Sequence, residues 1–282
     1  MNKNRPIGIF DSGLGGLTVL RAFRSKFPNE DFIYYADTKH VPYGEKSPDD
    51  IRKLAIAIVD YLVSRNVKSI AFGCNISSAV ALEEAQNKYP EICMGGLISP
   101  AMAEEARKES GGKIGVIATT ATVLTGQYPL VLKSGAGLAA VDVFMCACPP
   151  FVPLIESGKT SGPEIDAAVE STMGLLISAR IDTLIYGCSH YPFLEDAITS
   201  FFQKHALAPR CVDPAGPLVN GIRQQLRKAK IDNLRLGTGI VKYVVSGSKL
   251  AFKTNLKKLG VPFYESMIFS PNELDVELEP IK

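Results

Sequence analysis

Short apolar runs alternate with amphipathic stretches along almost the whole chain. The apolar runs predict strands at Ile7–Phe10, Asp31–Tyr35, Ser69–Phe72, Cys93–Leu97, Lys113–Ile117, Ala140–Phe144, Thr183–Tyr186, Pro209–Val212 and Val241–Val245. Several of the intervals between them have helical spacing. In DDIRKLAIAIVDYLVSRN (49–66), Ile51, Leu54, Ala55, Ile58, Val59 and Leu62 fall on one face. GPEIDAAVESTMGLLISAR (162–180) reads as a second such helix. Strands that are apolar throughout and separated by helices belong to parallel sheets covered on both faces. The predicted class is α/β.

The pattern also echoes itself. IAFGCNISS (70–78) matches LIYGCSHYP (184–192): apolar strand, Gly, Cys, then small polar residues. Pro100 follows Cys74 at the interval at which Pro214 follows Cys188, and upstream PIGIFDS (6–12) resembles KIGVIAT (113–119). A short insertion or deletion reconciles the register. The echo predicts a duplicated α/β unit with a cysteine at the carboxyl end of a strand in each copy. Ligands of open α/β sheets bind outside those ends, so two facing copies would form a cleft with a thiol on each wall.

Composition narrows the function. The chain has 282 residues, 46% hydrophobic and 21% charged, with a net charge of only +2. Its charges are mixed, so it has no electrostatic footprint for nucleic acid, whereas a small anion needs only a few local donors. The start, MNKNRPIGIF, lacks the pattern of a signal peptide, and no apolar run approaches the roughly 18 residues of a membrane span. A cytoplasmic protein without a membrane partner is expected. Its six cysteines should then stay reduced. There is no CxxC pair, His40, His190 and His205 are scattered, and Cys146 and Cys148 lack a second pair, so no metal site is expected.

Four segments, three of them at strand ends, carry candidate chemistry. DSGLGGL (11–17) opens the helix LTVLRAFRSKF, and its glycines permit a tight turn and close backbone approach to an anion. Gly13, Gly15 and Gly16 fit neither a dinucleotide nor a P-loop fingerprint. Asp11 would stand near a ligand; the plain alternative makes Asp11 or Ser12 a helix cap. In YADTKHVPYG (35–44), Asp37 could orient a neighbour, and Tyr43 with the Gly44 amide could hold a carboxylate. Turn structure alone would account for Pro42 and Gly44 and leave His40 on the surface. In ATTATV (118–123), Thr119 and Thr122 suit either anion binding or capping, and Glu156 in FVPLIE (151–156) is either functional or merely solvated.

Cys74 and Cys188 weigh most. Buried cysteines are usually small hydrophobes, but two opposed thiols also suit proton transfer at a carbon, one as base and the other as acid. A free thiol has a pKa of about 8.5, so the base needs a tuning neighbour. His190 is placed to serve Cys188, and Asp11 or Asp37 to orient groups near Cys74. The other four cysteines read as packing.

FDSGLGGLTVLR, ADTKHVPYG, GCN, GVIATTATV, FVPLIE and GCSHYP, in that order, resemble the glutamate racemase family of cofactor-independent enzymes of peptidoglycan precursor synthesis. The likeness runs from Ile7 to about Leu259. It implies two pseudo-symmetric parallel-sheet α/β domains, residues 1–97 plus 213–282 and residues 98–212, with the active site between them. It implies glutamate as the small-molecule partner and neither cofactor nor metal; a homodimer is compatible with it. By the same resemblance Cys74 matches the thiol that deprotonates D-glutamate and Cys188 the one that deprotonates L-glutamate. Asp11, Asp37, Glu156 and His190 match the residues that assist the thiols. Ser12, Pro42, Tyr43, Gly44, Asn75, Thr119, Thr122 and Ser189 match the substrate-holding set.

Three positions depart from the family pattern. Ile76 follows G-C-N where Thr is usual, and an isoleucine cannot donate a hydrogen bond, so one carboxylate contact should be missing unless Ser77, Ser78 or water replaces it. Such a loss is worth about 1.5–3 kcal/mol. Ser189 in place of Thr keeps its hydroxyl, and Ala118 replaces a frequent Gly. Ile76 keeps open an aspartate or broad-specificity racemase. A catalytically silent glutamate-binding protein and a redox dithiol protein are the rivals from other classes.

Overall fold

The computed structural model describes residues 3–134, 140–233, 237–261 and the short strand at 268–269. Its strands form two all-parallel sheets. The first contains β1 (Ile7–Asp11), β2 (Phe32–Ala36), β3 (Ser69–Phe72), β4 (Cys93–Gly96), β9 (Val241–Val245) and β10 (Ile268–Phe269), in the order β10-β9-β2-β1-β3-β4. The second contains β5 (Lys113–Ala118), β6 (Asp142–Ala147), β7 (Thr183–Gly187) and β8 (Arg210–Val212), in the order β6-β5-β7-β8. That order repeats β2-β1-β3-β4, so β5 stands where β1 does and β7 where β3 does. The echo read from the sequence is a repeat of topology.

Helices fill the crossovers. They are α1 (Gly16–Lys26), α2 (Pro48–Ser64), α3 (Asn75–Lys88), α4 (Pro100–Arg107), α5 (Thr120–Leu124), α6 (Gln127–Lys133), α7 (Phe151–Glu156), α8 (Pro163–Thr172), α9 (Gly174–Ala179), α10 (Glu195–Lys204), α11 (Ala215–Lys228) and α12 (Lys249–Lys258). The apolar face read on α2 is buried in full. On one side of the first sheet Ile7, Ile9, Tyr34 and Tyr243 pack against α1, α11 and α12. On the other, Phe10, Ile33 and Phe72 pack with Ile58 and Leu62 of α2. Alternate residues of each strand thus feed two cores, which is why these strands read as unbroken apolar runs.

Two expectations need correction. The stretch 162–180 is not one helix: it breaks at Met173 (φ −97°, ψ 7°), buried just before Gly174. A glycine with no side chain to pack is a weak point in a helix. The sixth strand begins at Asp142 rather than Ala140 and runs on to Ala147. The two-residue β10 is too short to leave a hydropathy signal.

The amino ends of the first sheet are closed by a buried ion pair. Lys68 Nζ donates to both oxygens of Glu30 at 2.6 and 2.7 Å, and also to the carbonyls of Lys3 (2.7 Å) and Ile231 (3.0 Å). Glu30 accepts from the Asn233 amide as well. Burial pushes the carboxyl up and the ammonium down, and each partner opposes the shift of the other. Removing one member of such a pair strands a charge, at a cost of about 3–5 kcal/mol. Lys68→Met should therefore lower the unfolding free energy measured by urea titration by an amount in that range, and adding Glu30→Leu should recover most of it.

Candidate active site

The candidate residues converge where the carboxyl ends of β1 and β3 face those of β5 and β7. Asp11 ends β1 and is fully buried. Its Oδ1 accepts from the Gly13 amide (2.8 Å) and its Oδ2 from the Ser189 hydroxyl, on the turn after β7 (2.9 Å). Burial raises its pKa, against the opposing pull of His190 and the Gly13 and Gly16 amides. The N-cap position of α1 is Gly15, which has no side chain to cap it, and Asp11 instead reaches the Gly16 amide at the start of the helix.

The glycines of the loop make room for the other sheet. A Cβ on Gly13 would lie 2.4 Å from Glu156 Oε1, and one on Gly15 would lie 2.3 Å from His190 Nδ1. Only a bare backbone fits there. The Leu14 amide then donates to Glu156 Oε1 (2.9 Å), which also meets His190 Nε2 (2.7 Å). The far nitrogen of that ring, Nδ1, is 3.7 Å from Cys188 Sγ. Thr18 of α1 adds a hydroxyl bond to the Ser189 carbonyl (3.0 Å), and Asn255 of α12 holds the Glu156 carbonyl (3.0 Å).

Burial disfavours a charge on His190, yet its bonds to Cys188 and Glu156 outweigh burial and hold its pKa well above the ordinary imidazole value. For Glu156, burial raises the pKa but the contacts with His190 and the Leu14 amide prevail and lower it. The two form an ion pair behind Cys188. On the opposite wall Cys74 is the N-cap residue of α3. Burial pushes its thiol up to about 12, helped by the Asp11 charge, while the side chain and amide of Ser77 work the other way. The two thiols therefore have unlike surroundings.

Both thiols line a cavity of about 20 Å³ together with Ser12, Tyr43, Asn75 and Thr122, space for one water. Gly44, Thr119, Ser189 and His190 also border it. Gly44, Thr119 and Val152 are shared with an outer hollow of about 400 Å³, which is where Pro42 lies. A hollow of about 560 Å³ at the amino ends of β2 and β9, by Asp31 and Ile240, holds none of these residues.

Asp37 stands behind the cavity wall. It accepts from the Tyr43 hydroxyl (2.5 Å) and from Ser246 Oγ (2.7 Å), and meets His40 Nδ1 at 2.9 Å. His40, expected on the surface, is thus half-buried against Asp37. Thr119 caps α5 by accepting from the Thr122 amide, and its hydroxyl also bonds to that of Thr122 at 3.0 Å. Ile76 lines the cavity and packs with Tyr43, Ile51 and Leu54. Ser78 does not replace its missing hydroxyl, since Ser78 Oγ bonds to the Cys74 carbonyl and the Leu97 amide. Ser77 does not border the cavity, and its buried side chain and amide lie against the Cys74 thiol instead.

Residues 17–220 match the family model described as Asp/Glu/Hydantoin racemase. The chain belongs to this family. It is 40% identical over 262 residues to the glutamate racemase of Desulforudis audaxviator, covering 88% of this chain and 90% of that one. It is 39% identical over 259 residues to that of Trichodesmium erythraeum, covering 92% and 93%. The crystal structure of the Francisella tularensis glutamate racemase in complex with D-glutamate superposes with a TM-score of 0.85 at 29% identity, over 97% of this chain and 99% of that one. The two parallel-sheet α/β units are thus the architecture of racemases.

Reading the racemase motifs missed Tyr128, whose hydroxyl donates to Asn75 Oδ1 (2.6 Å), and the clamps made by Thr18 and Ser246. No local pattern marks them, because each meets its partner only after the chain has folded. Among the described residues, no cluster of three or more His, Cys, Asp or Glu could hold a metal, and no helix is long and apolar enough to cross a membrane.

The ion pair behind Cys188 can be read directly. Glu156→Gln should lower the His190 midpoint by about one unit or more, seen by NMR titration of the imidazole. The raised His190 contributes stability below its unfolded value of about 6.5 and loses it as pH rises through its folded midpoint. The lowered Glu156 contributes above about 4.3 and loses it as pH falls through its own. The stability gap between parent and variant should be widest between those two values.

Proposed function

We propose that this chain is a cofactor-independent glutamate racemase that interconverts L- and D-glutamate by two-base proton transfer at Cα. The observation that carries this reading is the pair of thiols at equivalent strand ends of two repeated sheets, both bordering one cavity. A planar carbanion held between them gains its proton on the face opposite to the one that lost it, which inverts the centre. Cys74 would take the proton of D-glutamate and Cys188 that of L-glutamate. Supply of D-glutamate for peptidoglycan synthesis in the cytoplasm belongs to the same reading, as do domains of 1–97 plus 213–282 and 98–212.

The roles follow from the surroundings. Asp11 and the Glu156–His190 pair act behind the thiols, with His190 Nδ1 3.7 Å from Cys188 Sγ. Asp37 orients the Tyr43 hydroxyl. Ser12, Tyr43, the Gly44 amide, Asn75, Thr119, Thr122 and Ser189 supply donors and acceptors for the ammonium and two carboxylates. Fixed dipoles such as the α3 N-terminus beside Cys74 stabilise charge that develops on the substrate, most strongly where water is excluded. Small-ligand pockets usually span about 300–1,000 Å³, so a cavity of about 20 Å³ must open to admit glutamate. Opening parts the Leu14–Glu156 and Ser189–Asp11 bonds, and closing restores them around the substrate.

A racemase for aspartate or several amino acids is the second reading, favoured by the apolar Ile76 side chain at the cavity wall. A panel of amino acids assayed for α-proton exchange in deuterated buffer separates the two. In the same assay, Cys74→Ser and Cys188→Ser should each lower racemisation of glutamate by about 10²–10⁴-fold, the usual worth of a positioned acid or base. Parental rates in either variant would rule out the two-thiol mechanism.

A further inference from the structure

We propose that Tyr128 is a positioning residue that aims the Asn75 amide at the substrate and ties that contact to closure of the two units. The two residues belong to different halves of the molecule. Asn75 begins α3, between β3 and β4 of the first sheet, and borders the cavity. The Tyr128 side chain comes from α6, between β5 and β6 of the second sheet, and is buried beside Val116 and Ile185 of β5 and β7. Its hydroxyl reaches across and donates to Asn75 Oδ1 at 2.6 Å.

The consequence lies at the other end of the amide. Asn75 Nδ2 is buried and has no hydrogen-bond partner among the described residues. A buried donor left unmade is costly, and at the wall of a cavity an occupant can complete it. The amide group is planar, so fixing Oδ1 on the tyrosine leaves its N–H bonds free for an acceptor. The acceptor fitting a donor in this cavity is a carboxylate oxygen of the substrate. Without the phenol the amide is free to turn over and present its oxygen, which repels a carboxylate. Burial and the nearby Cys188 and Asp213 hold the Tyr128 pKa well above the usual phenol value, so the hydroxyl remains a donor throughout the working range.

The tyrosine ring is embedded in the second unit and moves with it, while Asn75 moves with the first. Opening breaks the bond and releases the amide; closing re-forms it and sets the donor. Recognition is thus completed by the motion that excludes water. This inference rests on the proposed role of Asn75 as a substrate contact.

A double-mutant cycle tests it. Tyr128→Phe keeps the packed ring and removes only the hydroxyl. KM for both glutamate enantiomers should rise about ten-fold, as expected for loss of a bond that orients a donor to a charged group, with a much smaller change in kcat. Asn75→Ala should raise KM by at least as much. In the double variant the Tyr128 change should add nothing further, because it acts through Asn75. Thermal midpoints taken alongside report packing alone, and a structural role would move them without this non-additivity. If Asn75→Ala raises KM while Tyr128→Phe leaves it at the parental value, or if the two effects add, the inference is overturned. If Asn75→Ala leaves KM unchanged, the proposed substrate role of Asn75 has failed instead.

Discussion

The site depends on how closely the loop after β1 approaches the turn after β7. The gap admits backbone and nothing more: a Cβ on Gly15 would overlap the His190 ring, and one on Gly13 the Glu156 carboxylate. At that separation the Leu14 amide reaches Glu156, and Ser189 reaches Asp11. The loop after β1 thereby shares its buried polar groups with the turn after β7 and the end of α7, where an unpaired charge would be prohibitive. The Cys188 surroundings are assembled by this contact, since Glu156 is held from the first sheet's side and His190 from its own.

The repeated strand order sets two thiols in matching places, and their neighbours differ. Cys74 sits at the start of a helix, deeply buried and near Asp11, in surroundings that favour the neutral thiol. Cys188 has the His190 imidazole at 3.7 Å, whose contacts with Cys188 and Glu156 favour its charged form. A symmetric reaction is thus proposed for a site whose two walls differ in chemistry. That asymmetry suits a reaction that needs one base and one acid at any moment.

Much of this was legible in the sequence because it is carried by local pattern. Strands buried on both faces leave unbroken apolar runs, and the repeated Gly-Cys after such runs marked both thiols and the repeat of topology. Other features were hidden because they depend on tertiary contact. The glycines of 11–17 were readable as an anion loop, but what the fold asks of them is room for Glu156 and His190. Asp37 was visible as a candidate, whereas its place behind Tyr43, between His40 and Ser246, depends on β9 pairing beside β2. The break at Met173 was lost within a run whose apolar spacing continues on both sides.

The buried pair of Lys68 and Glu30 has a consequence for how such a protein can change. It closes the amino ends of the first sheet, whereas every candidate site residue of that sheet stands at or beyond the carboxyl ends. One set of strands thus has a foundation at one end and reactive groups at the other, separated by the strands' own length. Distant, unshared sites usually contribute independently, so the foundation can be strengthened or weakened without touching the thiols. Such a layout lets substitutions that alter specificity, at positions such as Ile76, be offset by others at the far end of the same strands.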